Sequence, residues 1–294
     1  MTAPSAPDIR STIARAGTRM EERTMAAPVT DGTPTSRPKS RLGADRARAL
    51  GLPLLAIAII VALWWAATRL LSIPAYLVPG PDLVLSKLAG FADFLTTQTF
   101  VTLKETVLGF GLAILVGVPI AMAIARFRLL EQMLYPLLLA VNAVPKVAIA
   151  PILVVWMGFG LTPKVVMVVL LCFFPIVLST VAGLRSTPAE LVELSRSLDA
   201  GEVKEFFKVR FPWALPQIFV GLKTAISLAV IGAVIAEFVG SSEGLGYVIV
   251  QSGASADTAL AFAAIALLAV ISIVLFYAIE VVEKLVLPWA EENR

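Results

Sequence analysis

The sequence predicts an all-α, polytopic membrane protein with about six transmembrane helices and a helical hairpin between the fourth and the fifth. Three observations lead there. Apolar residues make up 58% of the 294-residue chain and its mean hydropathy is +0.88, against roughly 45–50% apolar residues in soluble domains. Uncharged runs close to the roughly 20 residues needed to cross a bilayer core recur along the chain. Lys and Arg crowd the ends of alternate runs, as the positive-inside rule expects of a multi-pass protein.

Residues 1–49 carry nine Lys or Arg against five Asp or Glu. They have no apolar periodicity, which predicts a disordered tail, and nothing in 1–40 serves as the apolar centre of a secretory signal. The first span is Leu50 to Ala67, with Arg37, Lys39, Arg41, Arg46 and Arg48 before it. That placement keeps the N-terminus in the cytoplasm. An outward segment follows over 68–106, where Pro74, Pro79, Gly80 and Pro81 precede Leu83, Leu85, Leu88 and Phe91, the pattern of an interfacial helix. Val107 to Ala125 is the second span. The third, Met133 to Phe159, is broken by Pro145, Lys146 and Pro151. Val165 to Leu184, Thr224 to Ala236 extended back past Lys223, and Thr258 to Ile279 complete the set. With this topology eighteen Lys and Arg fall inside and four outside, and both termini are cytoplasmic. The expected organisation is a tail (1–49), a first helix with its outward segment (50–106), a transmembrane core (107–285) and a short cytoplasmic C-terminal tail (286–294).

Composition also excludes chemistry. The chain has no histidine and one cysteine, Cys172, so imidazole zinc sites, Ser-His or Cys-His nucleophiles and disulfides all lack their parts. Cys172, within an apolar run, reads as a small buried hydrophobe. The pI near 9.1 follows from basic residues at membrane edges, not from a nucleic-acid surface. No G-x-x-x-x-G-K-[ST] phosphate loop is present, and Gly221-Leu222-Lys223-Thr224 is only an echo of one.

The charged stretch from Thr187 to Pro216 predicts the hairpin. Thr187 as N-cap, Pro188 at the first helical position and Glu190 at the third, for a capping box with Thr187, form a start signal. Leu191, Leu194 and Leu198 recur at helical spacing until Asp199-Ala200-Gly201 interrupts them. A second helix places Val203, Phe206 and Phe207 on one face, and Pro212 and Pro216 are expected to stop it. Glu190, Glu193, Glu202 and Glu205 balance the local basic residues. A helix that only bound anionic lipid would be dominated by Lys and Arg, so the mixed charge with a Leu and Phe face suits a protein groove better.

Glu193-Leu194-Ser195, then Asp199, then Val209-Arg210-Phe211-Pro212 resembles the EAA loop of bacterial ABC importer permeases, E-A-A-x-x-x-G followed after nine residues by I-x-L-P. The spacing matches throughout. Leu194 and Ser195 replace the alanines, Asp199 stands at the glycine, and Val209 and Phe211 replace Ile and Leu. Gly201 is the residue expected to take over the turn that the missing glycine would make. "NAVPKVAIAPILVVWMGFG" (142–160) and "AEFVGSSEGLGYVIVQ" (236–251) are similar to segments of the nitrate, sulfonate and taurine branch of that family.

The resemblance implies a permease subunit of the bacterial inner membrane that is not itself an enzyme. It implies a second copy of the permease, an ATP-binding subunit beneath each copy and an extracytoplasmic solute-binding protein. No cofactor is expected in this chain, ATP being bound by the partner subunit. The ATPase-coupling residues are then Glu190, Glu193, Leu194, Leu198, Asp199, Gly201, Val203, Phe207 and Pro212. Irregular backbone and ionisable groups at membrane depth point to the translocation pathway: Asn142, Pro145, Lys146, Pro151, Glu237, Gly244 and Gly246. Lys146 serves equally well as a solute contact or as a donor to the broken helix's carbonyls, and Lys223 reads best as snorkelling to the cytoplasmic interface. A carrier driven by an ion gradient is the rival class, and would be expected to keep acidic relays in its bundle. An intramembrane hydrolase would have to rely on a Ser-Lys pair that no spacing makes evident.

Overall fold

A computed structural model describes residues 41–289, which are helical with no strand among them. The tails expected at 1–40 and 290–294 lie outside the described residues. Two compact units divide the chain at Ala58 and Ile59. In the first unit the described residues, 41–58, belong to α1 (Arg41–Leu70). That helix carries the first expected span and already begins at Arg41, within the stretch read as tail. Its segment Leu55–Leu70 is apolar but shorter than a span.

The second unit contains α2 (Pro81–Gly90), α3 (Ala92–Arg126), α4 (Arg128–Ala143), a 3-10 turn (Lys146–Ile149), α5 (Ala150–Met157), α6 (Leu161–Arg185), α7 (Ala189–Ser197) and α8 (Glu202–Glu205). A π-helical segment (Phe206–Arg210), α9 (Phe211–Gly240), α10 (Leu245–Ala254) and α11 (Thr258–Val286) complete it. Four helices among the described residues are long and apolar enough to cross a membrane: α3, α6, the continuous Glu202–Gly240 run, and α11. Leu129–Ala143 and Lys146–Met157 together pass the same test but meet at 81°, giving a fifth. The expected break in the third span is therefore present. Val144 is extended ahead of Pro145, because proline disfavours the helical region for the residue before it.

The core forms where α6 lies between α3 and α9. Phe110 and Ala113 of α3, Val168, Cys172 and Ile176 of α6, and Ala225, Ile226 and Ala229 of α9 are buried together. Gly109 of α3 and Gly232 of α9 both abut Val168, and a Cβ at Gly232 would sit 3.0 Å from the Val168 Cα. Small residues let membrane helices approach this closely, and dispersion then replaces the hydrophobic drive that lipid does not supply. Cys172 is buried as expected, and its thiol donates to the Ala225 carbonyl at 3.2 Å.

The outward segment is more ordered than a single interfacial helix. α3 starts at Ala92, so the second span extends well ahead of Val107. In α2 the buried residue is Val84, with Leu88 packed against the same cluster, whereas Leu83 and Leu85 are exposed. The inward face is thus one residue away from the expected Leu83–Leu85 pattern. Lys87 pairs with Asp257 at 2.5 Å, and Asp257 also caps α11 by accepting from the Leu260 amide. The loop expected between the last two spans contains α10, whose ten residues are too short to cross a bilayer at 1.5 Å rise per residue.

Candidate functional site: a helical hairpin and two breaks in the membrane helices

The hairpin is present, but its joints differ from expectation. Helix α7 begins at Ala189, with Pro188 at the cap position and no side-chain cap. The Thr187 hydroxyl donates back to the Leu184 carbonyl and so makes no capping box with Glu190. At its far end the Asp199 amide donates to the Arg196 carbonyl (3.0 Å) and the Ala200 amide to the Ser195 carbonyl (3.1 Å). This bond pair is a Schellman motif, whose C′ residue must be left-handed. Asp199 takes that conformation itself at φ +56°. Gly201, at φ −60° and ψ 154°, is extended and opens α8. It does not take over the turn.

Pro212 and Pro216 do not end the second helix. Glu202–Gly240 is one continuous helical run that passes through the π segment into the span. Pro212 follows the π segment directly and Pro216 lies within α9, so the run accommodates both prolines in its interior. α8 is therefore joined to a membrane helix without a break.

Glu205 closes the hairpin. Its side chain is 5% exposed and sits between Arg196 of α7, at 3.0 Å, and Arg210 at the end of the π segment, at 2.7 Å. Arg126 at the end of α3 pairs with Glu202, and Arg185 at the end of α6 pairs with Glu131. Leu194, Leu198 (75% exposed), Val203 (72%) and Phe207 are exposed apolar side chains of the hairpin, beside exposed Glu190 and Glu193. Phe206, expected on one face with Val203 and Phe207, packs inward against Leu184 and Ala214 instead.

The expected pathway residues separate into two groups. At the 81° bend Asn142, Pro145 and Pro151 are exposed. Lys146 donates to the Asn142 side-chain oxygen at 2.8 Å and to its carbonyl at 3.2 Å. It is the only cation of the bent segment 129–157.

Glu237, Gly244 and Gly246 come together where α9 ends and α10 begins. Three successive amides at the start of α10 each find a side-chain acceptor on another helix. Gly244 N–H donates to Gln98 (2.6 Å), Leu245 N–H to Thr102 (2.9 Å) and Gly246 N–H to Glu237 (2.5 Å). The first-turn amides of a helix have no partner within it, so α10 can be buried only because these side chains meet them. Gly244 has φ +103°, and a Cβ there would overlap the Glu237 carboxylate. The Thr102 hydroxyl also donates to Glu237 at 2.7 Å, and Lys164 pairs with the adjacent Glu105 at 2.6 Å.

Gln98, Thr102, Glu105 and Lys164 were not among the expected site residues. The first three recur at i, i+4 and i+7 on one face of α3, and that stripe was the available signal. Lys223, expected to snorkel, is instead paired with Glu283 of α11.

Comparison with known proteins places this geometry in context. A family model described as "Binding-protein-dependent transport system inner membrane component" matches residues 113–288. A "Probable ABC transporter permease protein" of Haemophilus influenzae is 39% identical, covering 78% of this chain and 93% of its own length. The "Riboflavin transport system permease protein RibX" of Chloroflexus aurantiacus is 37% identical, covering 82% and 90%. The "Taurine transport system permease protein TauC" of Escherichia coli is 28% identical, covering 83% and 92%. Among solved structures, an inward-facing MetNI methionine ABC transporter chain is similar in fold, with a TM-score of 0.60 at 19% identity over 67% of this chain and 98% of that one.

Proposed function

Because this chain belongs to the family of binding-protein-dependent transport system inner membrane components and is a permease subunit of an ABC importer, we propose that it carries a small anionic solute of the nitrate, sulfonate or taurine kind. Two copies form the pore in the bacterial inner membrane, with both termini in the cytoplasm. An ATP-binding subunit docks on each 187–211 hairpin, and an extracytoplasmic binding protein delivers the solute. The permease itself catalyses no reaction and holds no cofactor.

The observation that carries this reading is the hairpin. Its outer side is apolar and its inner side is pinned by Glu205. Its second helix runs without interruption into a span. Leu194, Leu198, Val203 and Phe207 fill a groove of the ATP-binding subunit, and Glu193 makes a polar contact at the rim, the mode by which amphipathic helices recognise proteins. Closure of the nucleotide-bound pair draws the hairpins together, and α9 tilts with them. The bend at Asn142–Pro151 lines the path, since irregular backbone at membrane depth is tolerated where it faces protein or water. Lys146 there attracts the anion. The named relatives transport unlike molecules, riboflavin and taurine, so anion preference rests on Lys146 and on the branch resemblance of residues 142–160 and 236–251.

Copurification of the ATP-binding subunit tests the docking. Glu193→Arg and Leu198→Asp leave membrane insertion intact and release that subunit, abolishing uptake. Retention of the complex with full transport in both variants refutes the docking surface. Uptake that survives ATP depletion and collapses with the ion gradient would place the protein with gradient-driven carriers instead.

A further inference from the structure

Charge does not balance in the buried cluster at the start of α10. Glu105 and Glu237 contribute two carboxyl groups, each residue 1% exposed, while Lys164, 4% exposed, contributes one ammonium. The carboxyl groups come from α3 and α9 and the ammonium from α6. The two carboxyls lie within hydrogen-bonding reach of one another. Two ionised carboxylates in contact repel, and an unbalanced charge in such surroundings neutralises rather than remain.

The hydrogen-bond inventory reaches the same point by another route. One Glu237 oxygen accepts from the Thr102 hydroxyl and the other from the Gly246 amide. Oε1 of Glu105 accepts from Lys164. Oε2 of Glu105 is buried and meets no donor among the described residues, and buried polar atoms in native proteins almost always have a partner. The Glu237 carboxyl lies within reach of the Glu105 carboxyl, and as an anion it can only accept. A single hydrogen between the two satisfies Oε2, removes the repulsion and cancels the excess negative charge.

We propose that Glu105 and Glu237 share one proton, held between Glu105 Oε2 and the Glu237 carboxyl, so that with Lys164 they form a neutral unit fastening α3, α6 and α9 to the start of α10. The proton belongs to the pair, as strongly interacting sites require. Bonded on both sides and shut off from water, it is a fixed part of the fold.

Infrared spectra of the complete transport assembly in lipid vesicles test this. Wild type shows, at neutral pH, the carbonyl stretch of one protonated carboxyl group per chain. Glu105→Gln and Glu237→Gln each lose it, because the amide then supplies the hydrogen and the remaining glutamate ionises. Glu105→Gln keeps wild-type thermal stability, since its amide oxygen still accepts from Lys164 and its NH2 donates to Glu237. A wild-type spectrum without the band, or a band that survives in either variant, overturns the proposal. Should neither variant assemble, wild type labelled with 13C at the glutamate δ-carbon decides: a protonated δ-carboxyl resonance supports the shared proton and its absence refutes it. The signal is the same with and without sodium, and a band abolished by sodium would make the site one for a metal cation.

Discussion

Lys223 of α9 and Glu283 of α11 form an ion pair within the bundle, their side chains 17% and 10% exposed. The Lys223 ammonium also lies 5.9 Å from the centre of the Phe276 ring. The pair joins the last membrane helix to the one that continues into the hairpin. Removing the Glu283 carboxylate takes from Lys223 its counter-ion within the bundle, whereas removing both leaves an apolar contact. Glu283→Met is expected to cost about 3 kcal/mol of stability, and Lys223→Met with Glu283→Met close to none. Thermal unfolding of the detergent-solubilised single and double variants measures the difference, and an unchanged midpoint in Glu283→Met would refute the pair.

Asp199 occupies a left-handed position that glycine fills without strain. Asp199→Gly is expected to stabilise the hairpin by up to about 1 kcal/mol, as the Cβ clash is removed at some cost in chain entropy. Gly201→Ala is expected to be neutral, because Gly201 is extended and a Cβ there meets nothing within 4 Å. Amide exchange over 189–201 reads both effects. Destabilisation by Gly201→Ala with no change from Asp199→Gly would reverse the assignment of the turn.

Gly246 leaves no room for a side chain. An added Cβ would lie 2.7 Å from a Glu237 carboxylate oxygen and 3.0 Å from the Val234 carbonyl. Overpacking at such a place costs about 1–3 kcal/mol, so Gly246→Ala is expected to lower the unfolding midpoint. It should also speed exchange of the Leu245 and Gly246 amides together, because their acceptors, Thr102 and Glu237, are bonded to one another. Wild-type exchange in Gly246→Ala would show that α10 does not depend on this contact.

Helix class, the broken span and the presence of the hairpin could all be read from residue order. Each depends on neighbours within about one helical turn or on the length of an apolar run, which local sequence encodes. The Thr187 capping box and the stop at Pro212 were misread for a related reason. A proline that ends a helix and one that a helix accommodates in its interior look alike locally, and only the π segment joining α8 to α9 distinguishes them. Asp199 was the opposite case, in which the family's glycine was missed but its conformation was kept.

By itself the sequence determined that this is a multi-span helical membrane protein with a charged, amphipathic hairpin and a proline-broken span, because hydropathy, helix length and proline geometry act along the chain. Only the tertiary structure decided which ionisable groups meet. Glu105 with Lys164 and Glu237, Lys223 with Glu283, and Glu205 with Arg196 and Arg210 are pairings made by helix packing. In a medium that cannot solvate charge, a buried ion's role is set by the partner that packing brings to it.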